Sequence, residues 1–282
     1  MKNVFWLLIP MGAALALFSS APKGQTCSDC GPVISLPFLA SVWSGPVSMK
    51  LPYPAPPAPE DWRKLSPPDR LAHARGRVQA PLNAELKKQG LRLGNPAFIR
   101  VFKESRTLEL WLQSKQAWKL FRTYPIAAMS GSLGPKLIEG DGQAPEGFYS
   151  VDKSALNPRS NFHLSFNIGY PNAYDQHHGR TGSFIMVHGN EVSIGCFAMT
   201  DPVIEEIYLV VEAALSAGQD SLPVHVFPFP LTPERLAQAA SHSSAAFWEE
   251  LRPGYEAFHP TQPLPRIIVQ AGRYVLQKWT GS

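Results

Sequence analysis

From Phe98 onward, short apolar or alternating runs recur between polar turns. Phe98–Phe102, Leu108–Leu112, Thr123–Ala128, Phe148–Val151, His163–Ile168, Phe184–Val187 and Leu222–Phe227 each have strand length. Separated by polar turns, they read as the strands of an antiparallel meander. One strong helical pattern interrupts them. Val203, Ile207, Val210, Val211 and Ala214 fall on one face, Thr200 or Asp201 is placed to cap the start, Pro202 sits in the first turn and Gly218 ends it. A helix is expected near Pro68–Arg77. Surface helices are expected over T-P-E-R-L-A-Q-A-A at 232–240 and over Ala245–Leu251, then a hairpin of Ile267–Val269 and Tyr274–Gln277. Many short strands around one packed helix predict a mainly β, α+β domain.

The first 59 residues break this pattern. Lys2, the uncharged apolar run Val4–Phe18 and the small residues Ser19, Ser20 and Ala21 have the layout of an export leader. The run is short for a membrane span, so residues 1–21 are expected to act as a cleaved signal or as an N-terminal anchor, the only link to a membrane that the sequence suggests. Residues 22–59 are dense in proline, and Y-P-A-P-P-A-P at 53–59 predicts an extended, semi-rigid tether. The expected organisation is leader 1–21, linker 22–59, N-terminal extension 60–95, catalytic domain 96–230 and C-terminal extension 231–282. Cys27 and Cys30 form a C-x-x-C without the surrounding βαβ pattern or extra ligands of a redox or zinc site, and are expected either to form a local disulfide in an oxidising compartment or to be removed with the leader.

Composition narrows the function. In 282 residues, 44% are hydrophobic and 17% charged, which suits a globular chain. The net charge of +4 is scattered, with no Lys/Arg run or basic helix stripe, and this argues against nucleic-acid binding. G-D-G-Q-A-P-E-G at 140–147 is interrupted by Pro145 and followed by strand-like residues, so it reads as a turn rather than a nucleotide loop. The chemistry concentrates in V-H-G-N-E-V-S-I-G-C-F-A-M-T-D at 187–201. Cys196 follows His188 by eight residues and immediately precedes the strong helix. An imidazole beside a thiol favours the thiolate, and Gly195 lets substrate approach closely. The Cys196 amide with a neighbour is placed to form an oxyanion hole, and Ser193 to brace the turn. The competing reading is a small core cysteine and a turn histidine. His177, His178 and His188 lack recognisable metal-ligand spacing, and no metal or cofactor is expected.

The segment H-G-x(4)-S-I-G-C, preceded by A-P-E-G-F-Y-S-V at 144–151, resembles the L,D-transpeptidase (YkuD) catalytic domain, most closely its YafK-like branch. F-I-R-V-F-K-E-S-R-T-L-E-L-W-L, S-G-S-L-G-P-K-L-I-E-G-D-G and N-I-G-Y-P-N-A-Y-D-Q-H-H-G-R-T-G extend the likeness over about residues 91–278. The resemblance implies a YkuD-like β-sandwich and an exported, periplasmic cysteine enzyme acting on peptidoglycan stems that carry meso-diaminopimelate. It makes Cys196 the nucleophile, His188 the general base and acid, and the Gly189 carbonyl the orienter of the imidazole. The family's S-H-G-C histidine is replaced by Ile194, and the Arg or Asn after its cysteine by Phe197 and Ala198. Substrate anchoring is therefore expected from Arg180, Asn172, Tyr174, Asp175 and His178, with a loop ion pair to Asp175 as the competing reading for Arg180. Transfer to an amine would make a transpeptidase. The branch also implies an alternative, an amidase that detaches an outer-membrane lipoprotein from diaminopimelate. A catalytically silent envelope-binding module is the alternative of another class.

Overall fold

A computed structural model describes residues 62–115 and 117–277. The expected leader, the tether and the Cys27/Cys30 pair lie outside the described residues. The described chain runs α1 (Pro67–Lys88), β1 (Ala97–Phe102), β2 (Thr107–Ser114), β3 (Ala117–Pro125), β4 (Gly147–Val151), β5 (Leu156–Asn157), β6 (Ser165–Asn167), α2 (Ala173–His177), β7 (Met186–His188), β8 (Phe197–Ala198), α3 (Asp201–Ser216), β9 (Leu222–Phe227), α4 (Pro233–Gln238), α5 (Ala245–Glu256), β10 (Arg266–Gln270) and β11 (Arg273–Gln277).

The strands form a five-stranded sheet in the order β3-β2-β1-β9-β4, a four-stranded sheet β5-β6-β7-β8 and the hairpin β10-β11. The sheets are mixed, not the expected antiparallel meander: β1 pairs parallel with β9, and β7 parallel with β8. Helix α3 supplies the crossover between β8 and β9 and touches β1 and β9 of one sheet and β6 and β7 of the other. Burial explains its composition. Ile204, Ile207, Tyr208, Val210 and Val211 are sealed in the main core, a broader apolar surface than one stripe. Its two buried acids are paired, Glu205 with Arg77 and His163, and Glu206 with Arg122.

Central strand β1 is buried on both faces. Ala97, Ile99 and Val101 enter the main core. Phe98 meets Trp118, His225 and Phe258, while Arg100 lies over the rings of Phe102, Tyr255 and Phe258. That second face is covered by the C-terminal elements through Phe227, Phe229, Trp248 and Leu251. A strand covered on both sides needs no polar alternation, and β1 shows little.

Helix α1 and strand β3 depart furthest from their expected spans. Helix α1 runs on to Lys88, past Gly76 and the interior Pro81, because Val78, Leu82 and Leu86 pack into the main core. That packing outweighs the lost helical hydrogen bond at the proline. Strand β3 occupies Ala117–Pro125 instead of Thr123–Ala128. Ala127 and Ala128 leave that sheet and hydrogen-bond the backbone of Ala198 in β8.

Candidate active site

Strands β7 and β8 run parallel with Val187 opposite Phe197 and His188 opposite Ala198. Continuing this register one residue back sets Cys196 opposite Met186. Side chains alternate along a strand, so His188 and Cys196 share one face of adjacent strands, with Cα atoms about 8 Å apart for a two-residue offset. The sulfur itself is located by backbone: Met186 N–H donates to Sγ at 3.4 Å, and the thiol donates to the Phe184 carbonyl at 3.5 Å. Cys196 is only partly buried, whereas His188 is 2% exposed.

The His188 ring is fixed from two sides. Nδ1 lies 2.5 Å from the Gly189 carbonyl oxygen, and the Phe162 ring packs against the imidazole at 4.8 Å between centroids. A carbonyl only accepts, so Nδ1 carries the proton and Nε2 keeps its lone pair. Burial lowers the His188 pKa, outweighing the Gly189 carbonyl and the charge of Asp201, which raise it. Burial also raises the Cys196 thiol pKa above its usual value, against the opposing pull of the Met186 amide and Lys136. Both shifts favour the uncharged forms, a neutral thiol and a neutral base.

The turn between the strands is tightly specified. Gly195 has φ 93°, where a side chain is strained, and a Cβ there would lie 3.3 Å from the Gln143 carbonyl oxygen. Its N–H donates to Ser130 Oγ at 2.6 Å, so of the amides considered from sequence, that of Cys196 is the one left for an oxyanion. Ser193 Oγ donates to the Cys196 carbonyl at 2.7 Å. Thr200, at φ 69°, makes no side-chain cap for α3, and Asp201 is the helix's first residue rather than its cap. The Asp201 carboxylate instead turns back to the histidine-bearing turn, accepting from Asn190 N–H and Trp62 Nε1–H at 2.7 Å each. Gly189 leaves no room for a side chain: its Cβ would stand 2.5 Å from Asp201 Oδ1 and 2.9 Å from the Phe162 carbonyl oxygen. Gly189→Ala is expected to destabilise the protein by about 1–3 kcal/mol through this overpacking. Turnover should fall with it as the imidazole is displaced, both checked by urea unfolding and steady-state rates on the same sample.

The residues expected to anchor substrate gather elsewhere in the site region and are engaged with one another. Asn172 and Asp175 form a reciprocal cap on α2. Buried Asp175 also receives Tyr149 OH at 3.1 Å and Arg180 Nη1 at 2.8 Å. The Arg180 guanidinium lies over Tyr174 and Phe247, so the carboxylate it meets is the chain's own. Tyr174 stacks on Tyr274 and donates to Glu250, and His178 Nε2 donates to the Gly272 carbonyl. These contacts bind the 172–180 segment to α5 and the terminal hairpin. His177 also lies there, its ring against Gly272, away from His188. Among the described residues no three His, Cys, Asp or Glu side chains converge as a metal site would require.

Ser130, Lys136 and Asp141 were not singled out from sequence. They belong to S-G-S-L-G-P-K-L-I-E-G-D-G, whose loop folds over the cysteine turn. Ser130 Oγ links Gly195 N–H to the Gly142 carbonyl.

Residues 96–226, from the start of β1 almost to the end of β9, match the YkuD L,D-transpeptidase catalytic domain family. The chain is 43% identical over 198 residues to the Escherichia coli (strain K12) protein named "Putative L,D-transpeptidase YafK", covering 70% of this chain and 80% of that one. The chain belongs to the L,D-transpeptidase family. The Escherichia coli O157:H7 protein of the same name matches equally. Among solved structures, a mutant of the helical cell shape determining protein Pgp2 from Campylobacter jejuni aligns with TM-score 0.41 at 20% identity, covering 62% of each chain. The L,D-transpeptidase segment contains both His188 and Cys196, whereas α1, α4, α5 and the terminal hairpin lie outside it.

Proposed function

We propose that this protein is an exported cysteine enzyme of the cell envelope that forms a thioester at meso-diaminopimelate stems of peptidoglycan. The observation that carries the reading is one imidazole, with Nδ1 committed to the Gly189 carbonyl, at the end of a strand whose first residue, Met186, holds a partly exposed thiol by its N–H. Family membership supplies the substrate class, and the charged–apolar–small start of the chain supports export. Phe184 and Ile194, 74% and 84% exposed, border the cysteine and provide apolar walls for a bound peptide.

In the proposed reaction His188 Nε2 takes the thiol proton as Sγ attacks the amide carbonyl at the L–D junction. The tetrahedral oxyanion meets the Cys196 N–H. The imidazolium returns the proton to the departing amine as the C–N bond breaks, leaving the thioester. A second amine, or water, then gives its proton to His188 while attacking the thioester, and the thiol is regenerated. An amine yields a crosslink or an attached protein; water yields cleavage, including release of an outer-membrane lipoprotein.

The test is to incubate the purified chain with crosslinked and protein-bearing sacculi, separate the muropeptides, and search Cys196 peptides for an acyl adduct by mass spectrometry. Changed muropeptides together with an adduct on Cys196 are expected. Unchanged sacculi with Cys196 reduced and alkylatable would overturn the enzymatic reading in favour of a silent binding module.

A further inference from the structure

We propose that Lys136 and Asp201, flanking the Cys196–His188 pair on its thiol and imidazole sides, are positioning residues that drive the pair toward thiolate and imidazolium. The inference deepens the proposed cysteine chemistry and rests on it.

The cation is fixed. Lys136 is 4% exposed, and its Nζ donates to the Ile138 carbonyl at 2.9 Å and to Asp141 Oδ1 at 2.6 Å. Asp141 in turn accepts the N–H groups of Leu137, Ile138 and Gln143. Burial would raise this carboxyl, but the hydrogen bonds from Lys136 and the three amides bring it to about 2. The loop is tied to the next segment by Thr181 N–H on the Leu137 carbonyl at 2.9 Å. A Cβ on Gly182 would stand 2.7 Å from Lys136 Cε and 3.6 Å from Nζ. The ammonium thus lies against the start of the Gly182–Met186 segment, and the Phe184 carbonyl and Met186 amide of that segment hold Sγ.

The anion is fixed on the other side. Asp201 is held by Asn190 N–H and Trp62 Nε1–H, directly behind the Gly189 turn that orients Nδ1. Other charges near the pair have partners of their own. His163 and Arg77 both bind Glu205 on the next turn of α3. Arg70 caps the Trp62 ring, binds the carbonyls of Ser160 and His163, and is the one cation among them whose charge faces Asp201. Glu139 accepts from Ser183 Oγ, and Glu191 is exposed on the turn.

The signs agree. Burial raises the thiol and lowers the imidazole, which favours the neutral pair. Lys136 opposes the first shift and Asp201 the second. Two fixed charges of opposite sign, one at each end, both lower the cost of moving one proton from Sγ to Nε2.

The experiment follows iodoacetamide alkylation of Cys196 across pH in the full chain, read by mass spectrometry of its peptide, alongside the His188 ring titration by NMR. Lys136→Met is expected to raise the Cys196 midpoint by about one unit, slowing labelling about tenfold near neutral pH and converging with wild type at high pH. Lys136→Arg should restore the profile. Asp141→Asn, which leaves the cation uncompensated, should lower the midpoint. Asp201→Asn should lower the His188 midpoint. Loosened structure alone does not shift one thiol in opposite directions from two ends of one ion pair. An unmoved midpoint in Lys136→Met, or slowing by one constant factor at every pH, overturns the role of Lys136; an unmoved His188 titration in Asp201→Asn overturns that of Asp201. If Lys136→Met does not fold, the sign of the Asp141→Asn shift decides. Untouched sacculi with these shifts intact would remove the proposed function and leave the electrostatic inference standing.

Discussion

Cys196→Ala is expected to reduce turnover on sacculi to background, a loss of about 10⁴-fold or more, because the variant has no atom left to form the thioester. Cys196→Ser should fare little better, since a hydroxyl is far less acidic than the thiol and His188 Nδ1 is held by a carbonyl rather than by a carboxylate. His188→Ala should cost about 10²–10⁴-fold, as the thiol then ionises unaided. Stability should hardly change in Cys196→Ala: the side chain is only partly buried, and its hydrogen bonds to Phe184 and Met186 are long. Urea unfolding of the same preparation separates a dead enzyme from an unfolded one. The pH profile adds a second check. With the His188 pKa lowered by burial, the base stays unprotonated below the usual histidine range, so the acid limb of kcat/KM should lie under pH 6.5. On the alkaline side, the raised thiol keeps its proton past neutrality, and the plateau should extend toward alkaline pH. The limbs are macroscopic values of the coupled pair, to be compared between wild type and His188→Ala.

Local periodicity made much of the fold legible. Leu108, Leu110 and Leu112 alternate with the less buried Thr107, Glu109, Trp111 and Gln113 in β2, and the apolar run of α3 with Pro202 in its first turn marks a helix in any context. What local pattern does not carry is partnership between distant segments. Nothing in Phe98–Phe102 says that its neighbour is Leu222–Phe227, or that the two run parallel. The continuation of α1 through Pro81 depends on a core built by residues far along the chain. The site divides in the same way. His188, Gly189, Ser193, Gly195 and Cys196 lie within one short stretch, and their geometry follows from one strand–turn–strand unit. Ser130, Lys136 and Asp201 act across folds of the backbone. Arg180 was read from sequence with two destinations, a substrate carboxylate and Asp175, and only the packing of Tyr174 and Phe247 around it shows which carboxylate it meets in the free protein.

Glu146→Ala is expected to destabilise the protein by about 3–5 kcal/mol, because it strands a buried ammonium. Glu146 and Lys103 are sealed from solvent, with Nζ 3.0 Å from Oε1. Lys103 completes its three donors on the carbonyls of Gly134 and Ala144. Glu146 accepts Gly134 N–H at 2.7 Å and, through its other oxygen, Trp248 Nε1–H at 2.7 Å. One carboxylate thereby joins the end of β1, the loop that carries Ser130 and Lys136, and helix α5 of the C-terminal extension. Burial already lowers the Lys103 pKa despite Glu146, so without that partner the lysine must lose its proton or draw water into the core. Trp248→Phe, which deletes one hydrogen bond and keeps the ring, should cost only about 1–2 kcal/mol. Lys103→Met combined with Glu146→Gln should recover much of the loss, since it removes both charges. Urea midpoints of the three variants order these costs. Equal midpoints for Glu146→Ala and Trp248→Phe would show that the ion pair contributes nothing beyond the indole bond. In the folded fraction of Glu146→Ala, the loop loses its Gly134 N–H tie, so the Cys196 alkylation midpoint should rise as Lys136 moves from its place.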